Sequence, residues 1–187
     1  MFHIYFFGDG RLLSLINSEL CKKKYNKIKQ FVFISKRHAN EKIEENLTFK
    51  DFLIRKKINF KILNKVDKKI KNKIQNNSIA VSFGSSWIFD KKTINLFKNK
   101  FYNVHGSDLP EDRGGGGFSW QILSNSRVLT STIHFLSPGI DKGKIIFKNK
   151  ITISNKLLPL ERQQIYEKRN KIFFMKKLKK LFKSNLK

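Results

Sequence analysis

The chain has 187 residues, the length of one domain, and this is enough to bury a hydrophobic core without disulfide bonds. Hydrophobic residues make up 40% of it, which is typical of a globular protein and excludes a disordered one. Its 40 basic and 14 acidic side chains give a formal net charge of +26, which attracts polyanions such as nucleic acid, an anionic membrane or a phosphorylated substrate. Lysine far outnumbers arginine, as an AT-rich coding sequence would produce, so the charge alone indicates no mechanism.

Cysteine usage and the N-terminal residues indicate where the protein resides. Cys21 is the single cysteine, so no internal disulfide can form and a reducing compartment is expected. The apolar run from Met1 to Phe7 is too short for a signal peptide, and Asp9 and Arg11 follow it closely. No apolar run approaches the about 18 residues that a membrane-spanning helix needs. We therefore expect a soluble, cytoplasmic protein.

The chain opens with a strand, a glycine turn and a helix. Phe2 to Phe7 is a short apolar run that ends at Gly8-Asp9-Gly10, and from Arg11 to about Lys24 apolar residues recur at helical spacing. This order is typical of a doubly wound α/β sheet. The third glycine of the dinucleotide fingerprint is missing, so the turn either approaches a ligand phosphate closely or is merely tight.

The alternation of strands and helices continues along the chain. Further strands are predicted at 31–34, 58–63, 78–83 and 101–105, and helices at 41–56, 66–75 and after Gly84, where Ser85 or Ser86 is the predicted N-cap. The β-rich segments 128–136 and 145–153 flank a loop with Pro and Gly, which predicts an antiparallel hairpin. The predicted fold class is therefore α/β and Rossmann-like, a mostly parallel twisted sheet with helices on both faces and a C-terminal antiparallel hairpin.

Asn103 and His105 lie two residues apart at the end of a predicted strand. Their side chains share one face, about 6.6 Å apart along the strand, at the edge where open α/β sheets bind ligands. An amide N–H beside an imidazole can stabilise a negative oxygen and move a proton. Taken alone, such a pair serves more often as a cap or a core pair.

Several further motifs follow in a fixed order. The chain reads Asn-Val-His-Gly-Ser-Asp-Leu-Pro over 103–110, then Arg113-Gly114, Trp120, Thr-Ile-His over 132–134 and Gly-Ile-Asp-Lys-Gly over 139–143. This order resembles the formyltransferase family that uses 10-formyltetrahydrofolate. The family includes glycinamide ribonucleotide formyltransferase, methionyl-tRNA formyltransferase and the N-formyltransferases of nucleotide-linked aminosugars. The resemblance is strong over residues 78–150 and looser, at the level of fold, over 1–77.

The resemblance implies a catalytic trio of Asn103, His105 and Asp141. A substrate amine would attack the formyl carbon, and Asn103 and a protonated His105 would stabilise the negative oxygen that forms. Asp141 would keep the imidazole charged and accept the proton that the nitrogen loses, directly or through water. His134 stands outside the trio, and a structural role is expected for it.

The resemblance also implies where the two substrates bind, with 10-formyltetrahydrofolate as the donor and no metal. The donor is expected at two loops, formed by Phe83, Gly84, Ser85, Ser86, Trp87 and Ile88 and by Leu136, Gly139 and Ile140. The acceptor is expected at Gly8, Gly10 and Arg11 and at Arg113, Gly114 and Gly115. Trp87 serves equally well as a core anchor, and Arg113 as a support for its loop. The run Gly114–Gly117 departs from the family's small-residue and proline pattern, so we expect it to set acceptor specificity.

The amine acceptor is predicted by elimination. A methionyl-tRNA enzyme would bring a C-terminal tRNA domain, for which too few residues follow Ile153. The glycinamide ribonucleotide enzyme carries Gly-x-Gly-Ser-Asn where this chain has Gly8-Asp9-Gly10-Arg11, and Asp9 repels a phosphate. We therefore predict a nucleotide-linked aminosugar of a surface polysaccharide pathway, such as lipopolysaccharide synthesis. Glycinamide ribonucleotide or another small phosphorylated amine is the alternative, and no specific nucleic acid partner is expected.

Two other classes of function compete with formyl transfer. A noncatalytic basic module would bind polyanions, but it has no need of the Asn-x-His and Asp constellation. A hydrolase would release formate without an amine. We divide the chain into a catalytic domain over 1–155 and a basic helical tail over 156–187. The tail either contacts a membrane surface, packs on the sheet, or joins two copies in a homodimer.

Overall fold

The computed structural model describes residues 1–154 and 156–183, which form nine strands and six helices. The strands are β1 (Phe2–Gly8), β2 (Ile28–Ile34), β3 (Lys42–Glu44), β4 (Leu47–Thr48), β5 (Asn59–Ile62), β6 (Ser78–Phe83), β7 (Phe101–His105), β8 (Val128–Phe135) and β9 (Ile145–Thr152). The helices are α1 (Gly10–Leu20), α2 (Lys36–Ala39), α3 (Phe49–Arg55), α4 (Lys91–Asn95), α5 (Gly117–Leu123) and α6 (Pro159–Lys183). Two 3-10 helices lie at Lys23–Tyr25 and Lys68–Lys73.

Seven of these strands form one sheet in the order β5-β2-β1-β6-β7-β8-β9. The first five in this order are parallel, and β8 and β9 add an antiparallel pair at one edge. The chain leaves β1 toward β2 on one side and later returns to β6 on the other. The carboxyl ends of β1 and β6 therefore flank the point where the direction of winding reverses, which is where such sheets bind ligands. The predicted fold class is confirmed.

A hydrophobic core covers each face of the sheet. On one face α1, α3 and α6 pack against β1, β6 and β7, with Phe6, Phe83 and Phe174 in mutual ring contact. On the other face Phe7 stacks on Phe33 and meets the edge of Phe89. Burial of these large rings supplies the main driving force for the fold.

Two predicted helices are wrong in extent, and the helix predicted over 66–75 is a shorter 3-10 helix over Lys68–Lys73. Residues 42–48 form the small β3–β4 pair, and α3 begins only at Phe49, because Thr48 Oγ1 caps it by accepting from Asp51 N–H at 3.2 Å. The helix predicted directly after Gly84 begins only at Lys91. Its N-cap is Asp90, which accepts from Thr93 N–H at 2.7 Å, and neither Ser85 nor Ser86. The residues between Gly84 and Asp90 form a loop.

The C-terminal helix α6 packs along the sheet. Phe174 is fully buried against Phe6 and Phe83, and the Tyr102 hydroxyl donates to the Leu181 carbonyl at 3.0 Å. Of the three alternatives for this segment, a helix packed on the sheet is the arrangement observed. Residues 184–187 of the predicted tail lie outside the described residues, and the boundary at 155 stays a prediction. Within the described ranges no helix is both long and apolar enough to cross a bilayer.

Candidate active site

The predicted trio comes together at the carboxyl end of β7. Asn103 and His105 project from one face of this strand while Val104 points into the core. Asp141 stands in the turn between β8 and β9, where its φ of 50° is one that aspartate tolerates better than most residues. Its carboxylate accepts from Asn103 Nδ2 at 3.2 Å and lies 3.5 Å from His105 Nδ1. Two sequence-distant segments thus form one cluster.

His134 joins this cluster from the neighbouring strand. It lies directly opposite Asn103 in the antiparallel β7–β8 register and is 2% exposed. Its Nδ1 donates to the Phe135 carbonyl at 2.8 Å, so Nε2 can accept from Asn103 Nδ2 at 3.1 Å. When Nε2 is protonated, it can also pair with Asp141 Oδ1 at 3.4 Å. His134 therefore fixes the orientation of two trio members, which agrees with the structural role expected for it. Sequence reasoning did not identify these two partners.

The charge state of Asp141 is set by its partners. Burial of the carboxyl favours the neutral form and would raise its pKa. The His134 ring, the Gly114 N–H at 3.0 Å and the charge of His105 together outweigh burial and hold the pKa of Asp141 below its ordinary value. The carboxylate is therefore ionised at neutral pH, as a proton acceptor must be.

The loop after β7 is fastened to the trio by its backbone. The Asp112 carbonyl accepts from His105 Nε2 at 2.9 Å and from Ser107 Oγ at 2.6 Å. Arg113 Nε reaches the Asp141 carbonyl at 3.4 Å. Together with the Gly114 N–H, these contacts place the glycine run directly beside the reactive groups.

A cavity of about 400 Å³ opens beside the trio. Most of the predicted donor residues line it, namely Gly84, Ser85, Trp87, Ile88, Leu136, Gly139 and Ile140. Ile88 and Ile140 are 79% and 55% exposed and present apolar side chains to this cavity. Phe83 is buried in the core, and the Ser86 hydroxyl faces Ser35 at 3.3 Å. Neither of these two residues is part of the cavity wall.

The predicted acceptor residues separate into two groups. Gly114 and Gly115 line the cavity, and Arg113 is exposed next to it. Gly8 and Gly10 do not line it: a Cβ on Gly8 would lie 1.7 Å from the Phe83 carbonyl oxygen, and one on Gly10 would lie 2.7 Å from Phe49 Cβ. Arg11 lies 3.8 Å from a carboxylate oxygen of Glu41, outside the same cavity. Close packing accounts for both glycines of the first turn.

Comparison with known proteins is consistent with this geometry. A family model described as formyl transferase matches residues 3–175, from β1 into α6. The chain belongs to the formyl transferase family. Among curated relatives, the methionyl-tRNA formyltransferase of Alkaliphilus oremlandii is 32% identical over 91 residues, which cover 46% of this chain and 29% of the relative. The chain spans about a quarter to a third of the length of the curated relatives it matches.

Solved structures of formyl transferases share the fold. The phosphoribosylglycinamide formyltransferase of Bacillus halodurans superposes with a TM-score of 0.75 at 17% identity, covering 98% of each chain. An N-formyltransferase of Helicobacter canadensis, solved with folinic acid and dTDP-3-aminofucose, gives a TM-score of 0.76 at 18% identity. It covers 98% of this chain and 65% of that one. At these identities the likeness shows the fold alone.

The described part of the chain contains no cluster of three or more His, Cys, Asp or Glu side chains placed to hold a metal ion. One signal could have pointed to His134 in advance. It stands in the Thr-Ile-His motif at the end of a β-rich segment, and a hairpin strand next to β7 would bring it opposite Asn103 or His105. Only the register decides which of the two it meets.

Proposed function

We propose that this protein transfers a formyl group from 10-formyltetrahydrofolate to a primary amine. One observation carries the proposal, namely the meeting of Asn103, His105 and Asp141 at the wall of the 400 Å³ cavity. Two hydrogen-bond donors and one ionised carboxylate suit acyl transfer, which develops a negative oxygen and releases a proton. The donor would supply the activated formyl carbon.

Each side chain has one task in this reaction. When the amine nitrogen bonds to the formyl carbon, Asn103 Nδ2 would release one of its two present acceptors, His134 Nε2 or Asp141 Oδ1. Asn103 Nδ2 and His105 Nε2 would then donate to the oxygen as it becomes negative. Asp141 would accept the proton that the nitrogen loses, directly or through a water molecule. As the oxygen re-forms its double bond to the formyl carbon and the bond from that carbon to the donor nitrogen breaks, the proton held by Asp141 would pass to the donor nitrogen. In the structure, His105 Nε2 donates to the Asp112 carbonyl. The substrate oxygen would displace this carbonyl as the acceptor.

We propose a nucleotide-linked aminosugar as the acceptor. Support comes from the fold shared with the Helicobacter canadensis enzyme solved with dTDP-3-aminofucose. Arg113 adds further support, because it is exposed beside the cavity and its Nε donates to the Asp141 carbonyl. Its terminal N–H groups suit a diphosphate. The cytoplasmic location and the lipopolysaccharide-type pathway predicted from the sequence belong to the same proposal.

The test is a formyl-transfer assay on the purified protein with 10-formyltetrahydrofolate. Each reaction contains a nucleotide-linked aminosugar, glycinamide ribonucleotide or no amine, and mass spectrometry detects the formylated product. We expect product with an aminosugar and none after His105→Ala. Product that persists in both His105→Ala and Asp141→Ala would overturn the mechanism. Formate released without any amine would indicate a hydrolase instead.

A further inference from the structure

The N-terminus of α1 binds a carboxylate group of the protein itself, that of Glu41. Gly10 is the first residue of this helix, and its N–H donates to Glu41 Oε2 at 2.7 Å. The first-turn N–H groups of a helix have no partner within the helix, and after a glycine turn they commonly bind a ligand phosphate. Here a carboxylate 31 residues away in the chain takes that position.

Glu41 is held firmly in this position. Its backbone carbonyl accepts from Phe49 N–H at 2.9 Å, and Phe49 in turn packs on the Gly10 backbone. Arg11 Nε lies 3.8 Å from the second carboxylate oxygen. The carboxylate therefore accepts from Gly10 and lies near the Arg11 guanidinium, while Phe49 holds the backbone of Glu41 in place. A competing anion would have to displace a group that the fold positions.

The surrounding charges also disfavour a bound phosphate. Burial, and then the negative charges of Glu41 and Glu167, raise the pKa of Asp9 to about 7, with Arg11 opposing the shift. Burial likewise raises the pKa of Glu167. Three carboxyl groups thus share this turn with one guanidinium group, and a phosphate would add two more negative charges to it.

This turn is connected to the trio through α6. Gly106 directly follows His105, and a Cβ on it would lie 2.7 Å from the Tyr166 hydroxyl. The next residue of α6, Glu167, lines a cleft of about 520 Å³ together with Arg11. Consecutive residues of α6 therefore contact the strand end that carries His105 and border the cleft at the first turn.

We propose that Glu41 is a specificity-determining residue for the acceptor. Its carboxylate takes the place of a substrate phosphate at the N-terminus of α1, so it excludes amines that carry a phosphate on that side. The amine of an accepted substrate would then belong to a neutral, hydroxylated sugar ring. The phosphates of that substrate would lie away from the N-terminus of α1, as in a nucleotide-linked sugar. This inference rests on the proposed function for the reaction and narrows the class of acceptor.

The experiment measures binding of ribose 5-phosphate to the full chain by NMR, with the Gly10 amide signal as the local reporter. We expect no shift of this signal in the wild-type protein and clear binding to Glu41→Ala, at least about tenfold tighter. The matched control is Glu45→Ala, which removes the same charge from an exposed residue of the cleft that Arg11 and Glu167 line. We expect this control to behave like the wild type.

Two results would overturn the proposal. One is a shifted Gly10 amide in the wild-type protein, and the other is Glu41→Ala binding no tighter than Glu45→Ala. Glu41→Gln keeps a hydrogen-bond acceptor for Gly10 but loses the charge, so it tests the same point if Glu41→Ala does not fold. We expect this variant to bind ribose 5-phosphate more tightly than Glu45→Ala. Because no donor or turnover is involved, failure to formylate aminosugars would leave these results unchanged.

Discussion

Two glycine segments border the same edge of the sheet but have opposite surroundings. In the first turn, a Cβ on Gly8 or Gly10 would collide with Phe83 or Phe49 at 1.7 and 2.7 Å. In the glycine run, a Cβ on Gly114 or Gly115 would meet nothing within 4 Å. The first turn therefore uses glycine for close packing between elements. The first two glycines of the run leave bare backbone beside the cavity, where Gly114 N–H reaches Asp141, whereas Gly117 packs closely on Ser107.

The difference shows that glycine spacing alone does not reveal a ligand site. A Gly-x-Gly turn after a strand predicts phosphate binding when the backbone is open, but here the space above it is filled by protein. The glycine run has no such motif, yet it is the segment that borders the reactive groups. Four substitutions test this contrast between a packed turn and an open run.

The largest effect is expected from Gly8→Ala. The new Cβ would stand 1.7 Å from the Phe83 carbonyl oxygen, and the φ of 149° is strained for any L side chain. We expect a loss of more than about 4 kcal/mol in the free energy of unfolding, measured by urea denaturation. A variant with wild-type stability would show that the turn is not packed as described.

Asp141→Asn should reduce activity strongly with little effect on folding. Asparagine tolerates the φ of 50° and still accepts from Gly114 N–H, but it cannot take a proton. We expect kcat to fall by about 10²- to 10⁴-fold while the unfolding midpoint stays close to that of the wild type. If kcat is unchanged and only the stability falls, Asp141 merely anchors the glycine run.

The packed turn also predicts a pH-dependent stability. Burial raises the pKa of Asp9 from 3.8 to about 7, so the folded protein binds this proton more tightly than the unfolded chain does. The resulting stabilisation is complete below about pH 4 and is lost as the pH rises through 7. Asp9→Asn cannot ionise, so we expect it to gain a few kcal/mol over the wild type between pH 4 and pH 8. Urea denaturation of Asp9→Asn and of the wild type at pH 4 and pH 8 measures this gain. A difference in the free energy of unfolding that is the same at both pH values would contradict the prediction.

Gly115→Ala should have the smallest effect on stability. The added methyl group meets open space, so the free energy of unfolding should change by less than about 0.5 kcal/mol. The methyl group would narrow the cavity mouth, so we expect a several-fold rise in the KM for the acceptor at a similar KM for the donor. Steady-state kinetics with each substrate varied in turn measures both values. Unchanged values for both substrates would place the acceptor away from the run.

Local patterns predicted much of the fold. The strands at 78–83 and 101–105 match the structure residue for residue, because a buried parallel strand has a strong apolar signature that glycine or a polar residue ends. The meeting of Asn103 and His105 with Asp141 also agrees with the expected arrangement. Their catalytic role stays a prediction.

What sequence reasoning missed depends on contacts between distant segments. The prediction of one helix over 41–56 did not take into account the N-cap at Thr48. This cap separates a small strand pair from α3. The place of His134 depends on the β7–β8 register, which a single sequence does not encode visibly. The bond from Gly10 to Glu41 joins residues 31 positions apart, and no local pattern marks it.

The hydrogen bond from Tyr102 to the Leu181 carbonyl has a consequence for synthesis on the ribosome. Tyr102 directly precedes Asn103 on β7, and its partner is made 79 residues later. The same helix supplies Phe174, which lies fully buried against β1 and β6. The strand that carries Asn103 and His105 therefore reaches its final packing only after α6 has emerged from the exit tunnel. A nascent chain that stops short of α6 would leave this strand without its cover and exposed to chaperones and proteases.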